Sequence, residues 1–209
     1  MTTDAEHWER WAERWATWAR RPEHDSYWRE TRSAFAELLP PPGRKTLDLG
    51  CGEGRVARDL RAAGHDVVAI DISSTLVALA RQADPDGEYL VANAAALPFA
   101  DDTFDLVVAF NTLMDFDDMP GAVREAARVL EPGGRFCASI THPMRDAGRF
   151  ANNEPDAPFR IDGPYFGKRR FALTVERDGH EMRFHGWAYP LEDYTRALED
   201  GGFLIEALR

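Results

Sequence analysis

The sequence predicts an α/β fold built on a doubly wound, mostly parallel sheet, with N-terminal helices and a β-hairpin insertion after strand 5. Between residues 46 and 140, short strand-like segments alternate with segments of helical length, which is typical of successive β-α-β units. The fourth strand, Phe104–Phe110, is almost entirely apolar, as expected for a strand buried on both faces. The third observation is a glycine-rich turn directly after the first strand.

The alternating region contains five predicted strands and three predicted helices. The strands cover residues 46–49, 66–70, 88–91, 104–110 and 135–140, and the helices cover 54–63, 74–82 and 122–130. Ser73 is the expected N-cap of the second of these helices. The Pro-Gly-Gly segment 132–134 is the expected turn after the third.

The N-terminal region contains four tryptophans at helical spacing. Trp8, Trp11, Trp15 and Trp18 are separated by steps of three, four and three residues, which places them on one face of a helix. They either pack this helix against the edge of the sheet or form a lid over a substrate. A second helix is predicted over residues 26–39, ended by the prolines and glycine of 40–43.

The regular alternation stops after the fifth strand. Residues 143–167 are rich in Pro, Gly, Asn and Asp and predict a long loop. The strand-like segments 169–176 and 181–187 flank Asp178-Gly179, a strong hairpin signal. A helix over 191–200 and a last strand over 203–208 complete the predicted elements.

Composition limits the classes of partner. The chain has 25 basic and 36 acidic residues and a net charge of −11, so a nucleic-acid substrate is disfavoured. No apolar segment is long enough to cross a bilayer, and the charged N-terminus does not resemble a signal peptide. Cys51 and Cys137 lack zinc spacing, and the histidines show no metal-ligand pattern. We therefore expect a cytoplasmic protein with no membrane contact and no metal site.

The glycine-rich turn combines three glycines with two acidic residues. Gly50, Gly52 and Gly54 have G-x-G-x-G spacing, and Arg55 occupies the position of the third glycine of a dinucleotide-binding motif. Asp48 precedes the first glycine by two residues. Asp71 follows Gly50 by 21 residues, at the end of the second strand, where a carboxylate can accept hydrogen bonds from ribose hydroxyls.

Four segments together resemble the class I S-adenosylmethionine-dependent methyltransferases, in their bacterial small-molecule branch. They are residues 47–54, Asp71, residues 93–99 and residues 128–134, within a region of resemblance that covers about 44–141. The resemblance implies a Rossmann-like fold, S-adenosyl-L-methionine as cofactor and S-adenosyl-L-homocysteine as product. The family sheet has seven strands, so either the chain stops short of one or a strand of the insertion completes the sheet.

The resemblance also implies roles for individual residues. Asp48 holds the cofactor amino group, Asp71 binds the ribose hydroxyls, and Ile72 lies against the adenine. Asn93 stands where the family usually has Asp, and its amide can still accept a hydrogen bond through the carbonyl oxygen. The cofactor-binding set implied by the resemblance is Asp48, Gly50, Cys51, Gly52, Gly54, Asp71, Ile72, Asn93, Ala94, Phe110, Asn111 and Leu113.

On this basis we expect a single methyltransferase domain over 1–209. It comprises an N-terminal helical cap (1–42), a cofactor-binding core (43–142), an insertion or substrate lid (143–190) and a final helix and strand (191–209). The aromatic residues of the insertion either wall an apolar substrate pocket or form a dimer contact. A homodimer and a monomer both stay open at this point.

Two residues are candidates for catalysis. His142 follows the fifth strand and Asp115 follows the fourth, and ligands of such sheets bind beyond the carboxyl ends of the strands. A histidine can accept a proton near neutral pH, but His142 can equally fix its loop by hydrogen bonding. Asp115 either binds an amino group of cofactor or substrate or caps a helix. Alignment of the reactants can supply most of the acceleration, so a base is not obligatory.

The leading hypothesis is transfer of a methyl group to a small-molecule acceptor by in-line displacement. One alternative is a protein that binds S-adenosylmethionine for chemistry other than methyl transfer. Another is a non-catalytic module that binds the cofactor and acts as a partner or sensor. Fold resemblance alone does not identify the acceptor.

Overall fold

The computed structural model describes residues 3–152 and 154–209. Its centre is a parallel sheet of five strands in the order β3-β2-β1-β4-β5. The strands are β1 (Thr46–Leu49), β2 (Val67–Asp71), β3 (Glu88–Val91), β4 (Phe104–Phe110) and β5 (Leu130–Ser139). The chain starts at the middle strand, runs out to β3 and returns to β4, so the predicted doubly wound sheet is confirmed.

Apolar side chains are buried on both faces of this sheet. Two core clusters form, one containing Leu47 and Val107 and the other containing Ala69 and Val108. The packing helices include α3 (Arg55–Ala62), α4 (Ser74–Ala83), α5 (Met119–Val129) and α7 (Leu191–Asp200). Burial on both faces explains the nearly continuous apolar sequence of β4.

The N-terminal helix α1 (Asp4–Ala19) begins with a capping box between Thr3 and Glu6. The predicted helix over 26–39 is present but ends earlier, at Ala36. Its first part is a π-helical turn (Tyr27–Thr31), which continues into α2 (Arg32–Ala36). The Tyr27 hydroxyl donates a hydrogen bond to the Asp59 carboxylate.

The segment after β5 contains more structure than the predicted long loop. A short helix, α6 (Met144–Ala147), precedes an antiparallel pair, β6 (Gly148–Phe150) and β7 (Phe159–Ile161). The predicted hairpin is present as β8 (Arg169–Arg177) and β9 (His180–Ala188), with Asp178 and Gly179 both at positive φ. The hairpin forms its own two-stranded sheet, so within the described residues the insertion does not complete the central sheet.

Two further expectations near β5 need correction. The Pro-Gly-Gly segment is a bulge within β5 rather than a separate turn, because the strand begins at Leu130 and its register with β4 shifts there. The predicted strand over 203–208 is not formed. Phe203 stacks on Phe136 at 5.5 Å between ring centroids, but Leu204 and Leu208 are 95% and 75% exposed. Phe203 and Glu206 therefore contact β5 through their side chains, at Phe136 and Arg135, but residues 203–208 do not join the sheet. Among the described helices, none is both long and apolar enough to cross a membrane.

Candidate active site

The glycine turn after β1 has a backbone that requires glycine. Gly50, Gly52 and Gly54 have φ values of 69°, 56° and 87°, a region that other residues rarely adopt. A Cβ atom on Gly50 would lie 2.0 Å from the Thr112 hydroxyl oxygen, and one on Gly52 would lie 3.0 Å from the Trp15 indole nitrogen. The turn is therefore enclosed by the loop after β4 on one side and by α1 on the other.

Asp71 connects the ends of two strands. One of its carboxylate oxygens accepts a hydrogen bond from the Gly52 N–H (2.8 Å) and the other accepts one from the Ser73 N–H (2.9 Å). Burial raises the pKa of this carboxyl to about 6, although these hydrogen bonds act against the rise. Each oxygen keeps a lone pair that can accept a further donor from the cavity.

Asp48 is a buried carboxyl with an unsatisfied oxygen. It is 1% exposed, and its Oδ2 atom has no hydrogen-bond partner among the described residues. Burial, together with the charge of Asp71, raises the pKa of Asp48 to about 7. A buried acceptor without a donor is costly, so this position favours a ligand that brings a donor or a positive charge.

Residues after β2, β3 and β4 contribute to the same opening. After β2, Ile72 is 40% exposed. After β3, the amide oxygen of Asn93 accepts a hydrogen bond from the Ala95 N–H (2.9 Å). After β4, Asn111 has a φ of 50°, and its amide oxygen accepts a hydrogen bond from the Ser139 hydroxyl (3.0 Å). The carboxyl ends of the parallel strands thus meet at one edge, where ligands of such sheets bind.

A cavity of about 800 Å³ occupies this edge of the sheet. The turn after β1 and the ends of β2, β3 and β4 form its floor, and α1 with the β8–β9 hairpin encloses the opposite side. Trp15 and Trp18 each lie 6.1 Å from the Phe184 ring, measured between centroids. The volume lies at the upper end of the range of small-molecule sites, roughly 300–1,000 Å³.

Comparisons with known proteins agree with this geometry. Residues 47–138 match the family described as "Methyltransferase domain". The sequence is 36% identical over 103 residues to the demethylmenaquinone methyltransferase of Renibacterium salmoninarum, covering 49% of this chain and 44% of that relative. It is 34% identical over 136 residues to the malonyl-[acyl-carrier protein] O-methyltransferase of Enterobacter lignolyticus, covering 61% of this chain and 54% of that relative.

A solved structure extends the likeness beyond the matched segment. The S-adenosylmethionine dependent methyltransferase from Mesorhizobium loti superimposes with a TM-score of 0.70 at 26% identity, covering 90% of this chain and 85% of that one. This chain is therefore similar to the S-adenosylmethionine-dependent methyltransferases, in sequence over residues 47–138 and in fold over most of its length. It spans about half the length of the curated relatives it matches.

The site has three features that fit S-adenosylmethionine. The glycine turn leaves space that side chains would fill, Asp71 has free lone pairs at the strand end, and Asp48 has an oxygen without a donor. The amino group, ribose hydroxyls and sulfonium of the cofactor offer the donors and the positive charge that these groups lack.

Most of the cofactor residues expected from the sequence line this cavity. The lining residues from that set are Asp48, Gly50, Cys51, Gly52, Asp71, Ile72, Asn93, Ala94, Phe110 and Asn111. Gly54 instead begins α3, where Ala80 and Tyr89 crowd it, and Leu113 packs into the hydrophobic core. These two positions shape the site from behind its wall.

The two candidate catalytic residues differ in placement. Asp115 lines the cavity. Burial, with the charges of Asp4 and Asp71, raises its pKa well above that of an ordinary carboxyl. His142 is exposed, and its Nδ1 atom accepts a hydrogen bond from the Met144 N–H (3.2 Å). The neighbouring Thr141 and Arg145 line the cavity, but His142 does not.

Some of the N-terminal and insertion aromatic residues line the cavity, and others lie outside it. Trp8, Trp15 and Trp18 line the cavity together with Phe171 and Phe184. In contrast, Tyr27 and Trp28 brace the helices outside it, the Trp28 indole donating to the Ala19 carbonyl (2.7 Å). Helical spacing indicated that the tryptophans share a face, but not which structure that face covers.

Several wall residues gave no signal in the sequence. Asp4 lies at the start of α1, where an acidic residue is ordinary, yet its side chain is 6% exposed and faces the far end of the site. Buried Arg55 pairs with Asp25 (3.2 Å) and lies between the rings of Trp15 and Tyr27. These contacts join residues distant in sequence, so no spacing could reveal them.

A group with metal-ligand chemistry lies at the tip of the hairpin. Glu23, His24 and Asp178 place one ligand atom each within 4.8 Å of one another. The His24 Nε2 atom is 3.0 Å from Asp178, so this group ties the N-terminal region to the hairpin. The absence of a metal site stays a prediction.

Proposed function

We propose that this protein transfers a methyl group from S-adenosylmethionine to a small-molecule acceptor by in-line displacement. The observation that carries the proposal is the pairing of unsatisfied Asp48 with the Asp71-braced glycine turn in one enclosed cavity. The same cavity is also lined by aromatic and acidic side chains outside the predicted cofactor set.

In this proposal the cofactor extends along the strand ends. Asp48 binds the amino group, Asp71 accepts from the ribose hydroxyls, and Ile72, with Asn93 and Ala94, contacts the adenine. Cys51 and the three glycines allow the backbone to approach the ligand. Phe110 and Asn111 lie beside the methionine portion, and Leu113 supports them from the core.

The bound cofactor supplies an electrophilic methyl group. The protein aligns the acceptor with that methyl group and excludes water, and such alignment can account for much of the acceleration. Trp15, packed against the glycine turn, and Phe184 across from it are suited to both tasks. Asp115 is placed to receive a proton from the acceptor, because it lines the cavity and has a raised pKa. His142 lies outside the wall, so we assign it a role in its loop.

The acceptor class follows from charge and enclosure. The net charge of −11 and the acidic cavity wall disfavour a nucleic acid. The relatives named above act, by their names, on demethylmenaquinone and on a malonylated carrier protein.

A cytoplasmic location is supported by two free cysteines, Cys51 and Cys137. A homodimer and the division of 1–209 into cap, core, lid and final helix stay predictions.

The first test is calorimetric titration with S-adenosylhomocysteine. We expect micromolar binding to the native protein and at least about tenfold weaker binding to Asp71→Asn, because an amide cannot accept hydrogen bonds from both sides as a carboxylate does. Asp66→Asn is the matched control, since Asp66 is an exposed acid outside the cavity. Equal affinities for all three proteins, or no binding to a folded native protein, would contradict the cofactor site.

A second test separates methyl transfer from cofactor binding alone. The protein is incubated with S-adenosylmethionine labelled in the methyl group and with the small-molecule fraction of a cell extract. Label in a new low-mass product that requires the protein supports the proposed activity. Tight cofactor binding without transfer from any fraction would favour the alternatives, non-methyl chemistry or a non-catalytic cofactor-binding module.

A further inference from the structure

The cavity beyond the cofactor residues has two carboxyl groups without sufficient donors. Asp4 is 6% exposed at its side chain, and its Oδ2 atom has no hydrogen-bond partner among the described residues. Asp115 receives no hydrogen bond from a described side chain or backbone group. Its Oδ1 atom lies 2.9 Å from the point that a Cβ on Gly186 would occupy, so the glycine leaves room for this carboxyl.

Of the two carboxylate oxygens of Asp4, only Oδ1 has a hydrogen-bond partner among the described residues. This oxygen bonds to Arg170, which also pairs with Asp117 and stacks on the Trp187 ring. His185 approaches the same Oδ1 atom at 3.4 Å. The protein therefore neutralises one side of this carboxylate and leaves Oδ2 without a donor among the described residues, while burial first, and the contact with the Asp117 carboxyl second, raise the pKa of Asp4.

Charge in this part of the cavity is predominantly negative. Outside the predicted cofactor set, the charged lining residues are the acids Asp4, Asp25, Glu30, Glu53, Asp115, Asp117, Asp118 and Asp146 and the bases Arg29, Arg55, Arg145 and Arg177. Burial is the main cause that raises the pKa of Asp4, to about 7, and of Asp115 well above its ordinary value. A group that brings a positive charge and N–H donors would remove this cost.

The remaining wall is aromatic. Trp8, Trp15, Phe171 and Phe184 line the same region, and the Trp8 and Trp15 rings lie 5.8 Å apart between centroids. Aromatic faces bind both apolar groups and cations. The wall thus suits a molecule with an apolar body and a cationic head.

From this arrangement, and resting on the proposed function, we propose that the methyl acceptor is a primary or secondary amine with an aromatic or apolar body. Its nitrogen is held between Asp115 and Asp4, and its body lies against the aromatic wall. Asp115 is the catalytic residue in this scheme and Asp4 is a positioning residue.

The transfer step balances without another reactant. The amine enters as an ammonium ion and passes one proton to the Asp115 carboxylate, which frees the nitrogen lone pair. That lone pair forms the new N–C bond with the methyl carbon, and the C–S bond breaks with its electron pair going to sulfur. The methylated ammonium product and the neutral thioether leave, and Asp115 loses its proton to solvent.

The test is a calorimetric comparison of amines with isosteric alcohols and acids. The probes are phenethylamine and tryptamine, phenylethanol and tryptophol, and phenylpropionate and indolepropionate. Each is titrated into the native protein with and without saturating S-adenosylhomocysteine. We expect at least one amine to bind about tenfold or more tightly than its alcohol, since a charge-assisted hydrogen bond replaces a neutral one. Alcohols or acids that bind as well as the amines would overturn the proposal.

The decisive variant is Asp115→Asn. It removes a carboxyl whose ionisation burial and neighbouring acids disfavour, so its melting temperature should equal or exceed that of the native protein. We expect it to lose the preference for amines and to retain S-adenosylhomocysteine affinity within about threefold. A loss of cofactor affinity equal to the loss of amine binding would assign Asp115 to the cofactor amino group and overturn the proposal.

The same titrations distinguish a failure of the proposed function from a failure of the proposed acceptor class. If S-adenosylhomocysteine does not bind while an amine binds and depends on Asp115, the methyltransferase activity is wrong and the amine site is right. If the cofactor binds and no amine is preferred, only the acceptor class is wrong. Asp66→Asn, an exposed acid outside the cavity, should leave both affinities unchanged.

Discussion

At the scale of single residues, the site is distinguished by buried carboxyl groups whose charge is only partly compensated. Asp48 and Asp4 illustrate this most clearly, because one oxygen of each has no hydrogen-bond partner among the described residues. In contrast to these two acids, Glu53 in the same cavity pairs with Arg20 and Arg58. Unsatisfied burial reduces stability, so we infer that these acids are retained for binding.

Asp48 should make the stability of the free protein depend on pH. Its pKa is about 7 when folded against a reference of 3.8, so between these values the folded form holds a proton that the unfolded form has lost. Stability from this group is therefore greatest at low pH and falls as pH rises, by up to about 1.4 kcal/mol per pH unit. Urea unfolding at pH 5, 6, 7 and 8 should show this decline relative to Asp48→Asn.

The amide of Asp48→Asn carries no titrating proton, so any fixed cost of the substitution is the same at each pH. Only the difference in slope between the two proteins reports on Asp48. Parallel stability profiles would show that Asp48 ionises as an ordinary exposed carboxyl. Added S-adenosylhomocysteine should flatten the profile of the native protein, because its amino group stabilises the ionised form.

Single-residue motifs were the most predictable part of the site. The positions of Gly50, Gly52 and Asp71 at strand ends were evident from the sequence, because β-α-β connectivity fixes which residues meet the sheet edge. Asp4 was not evident, since its burial depends on Arg170 in the distant hairpin. Residues that gain a role only through long-range contacts have no local pattern to reveal them.

At the scale of elements, one of the polar contacts that hold α1 over the site is made by Glu9. The Glu9 carboxylate accepts hydrogen bonds from the hydroxyls of Ser73 (2.6 Å) and Thr75 (2.6 Å) and from the Thr75 N–H (3.2 Å). Because Ser73 is also bonded to Asp71 through its N–H, the position of α1 is linked to the ribose-binding end of the site.

Glu9→Gln should weaken the attachment of α1. The amide keeps one acceptor but loses the charge that strengthens these bonds, so we expect a loss of stability of about 0.5–1.5 kcal/mol. Hydrogen exchange of α1 amides should be faster, and affinity for S-adenosylhomocysteine should fall. Glu13→Gln, an exposed glutamate on the same helix, is the control. If both variants exchange alike, Glu9 does not anchor the helix.

Element prediction succeeded where periodicity and burial agree. The five parallel strands and the β8–β9 hairpin follow from apolar runs and turn residues. The strand over 203–208 failed, because its apolar residues remain exposed beside β5 instead of joining its ladder. The helix over 26–39 is present over most of its predicted length, but its π-helical turn at Tyr27–Thr31 and its end at Ala36 were not predicted, since local propensity does not encode them.

At the scale of the whole molecule, the cavity is assembled from three distant parts of the chain. The central segment supplies the strand ends, α1 supplies Trp8, Trp15 and Trp18, and the hairpin supplies Phe171 and Phe184. Arg14 pairs with Glu181 (3.2 Å), and the buried His7 ring bonds to the Arg183 carbonyl (2.9 Å), so α1 and β9 enclose the site together. A ligand inside would contact all three parts at once.

Cofactor binding should therefore protect elements far from the glycine motif. At a hundredfold excess over its dissociation constant, S-adenosylhomocysteine stabilises the folded state by about 2.7 kcal/mol, and elements that open to admit it share that gain. Hydrogen exchange should slow in α1 and in β8–β9 as well as at Gly50–Gly54. The β6–β7 pair is an internal control, since Phe150 and Ile161 are exposed and its residues do not line the cavity. Protection confined to the glycine turn would mean that α1 and the hairpin do not close on the ligand. Equal protection of β6–β7 would instead indicate that the whole protein is stabilised, without closure of α1 and the hairpin.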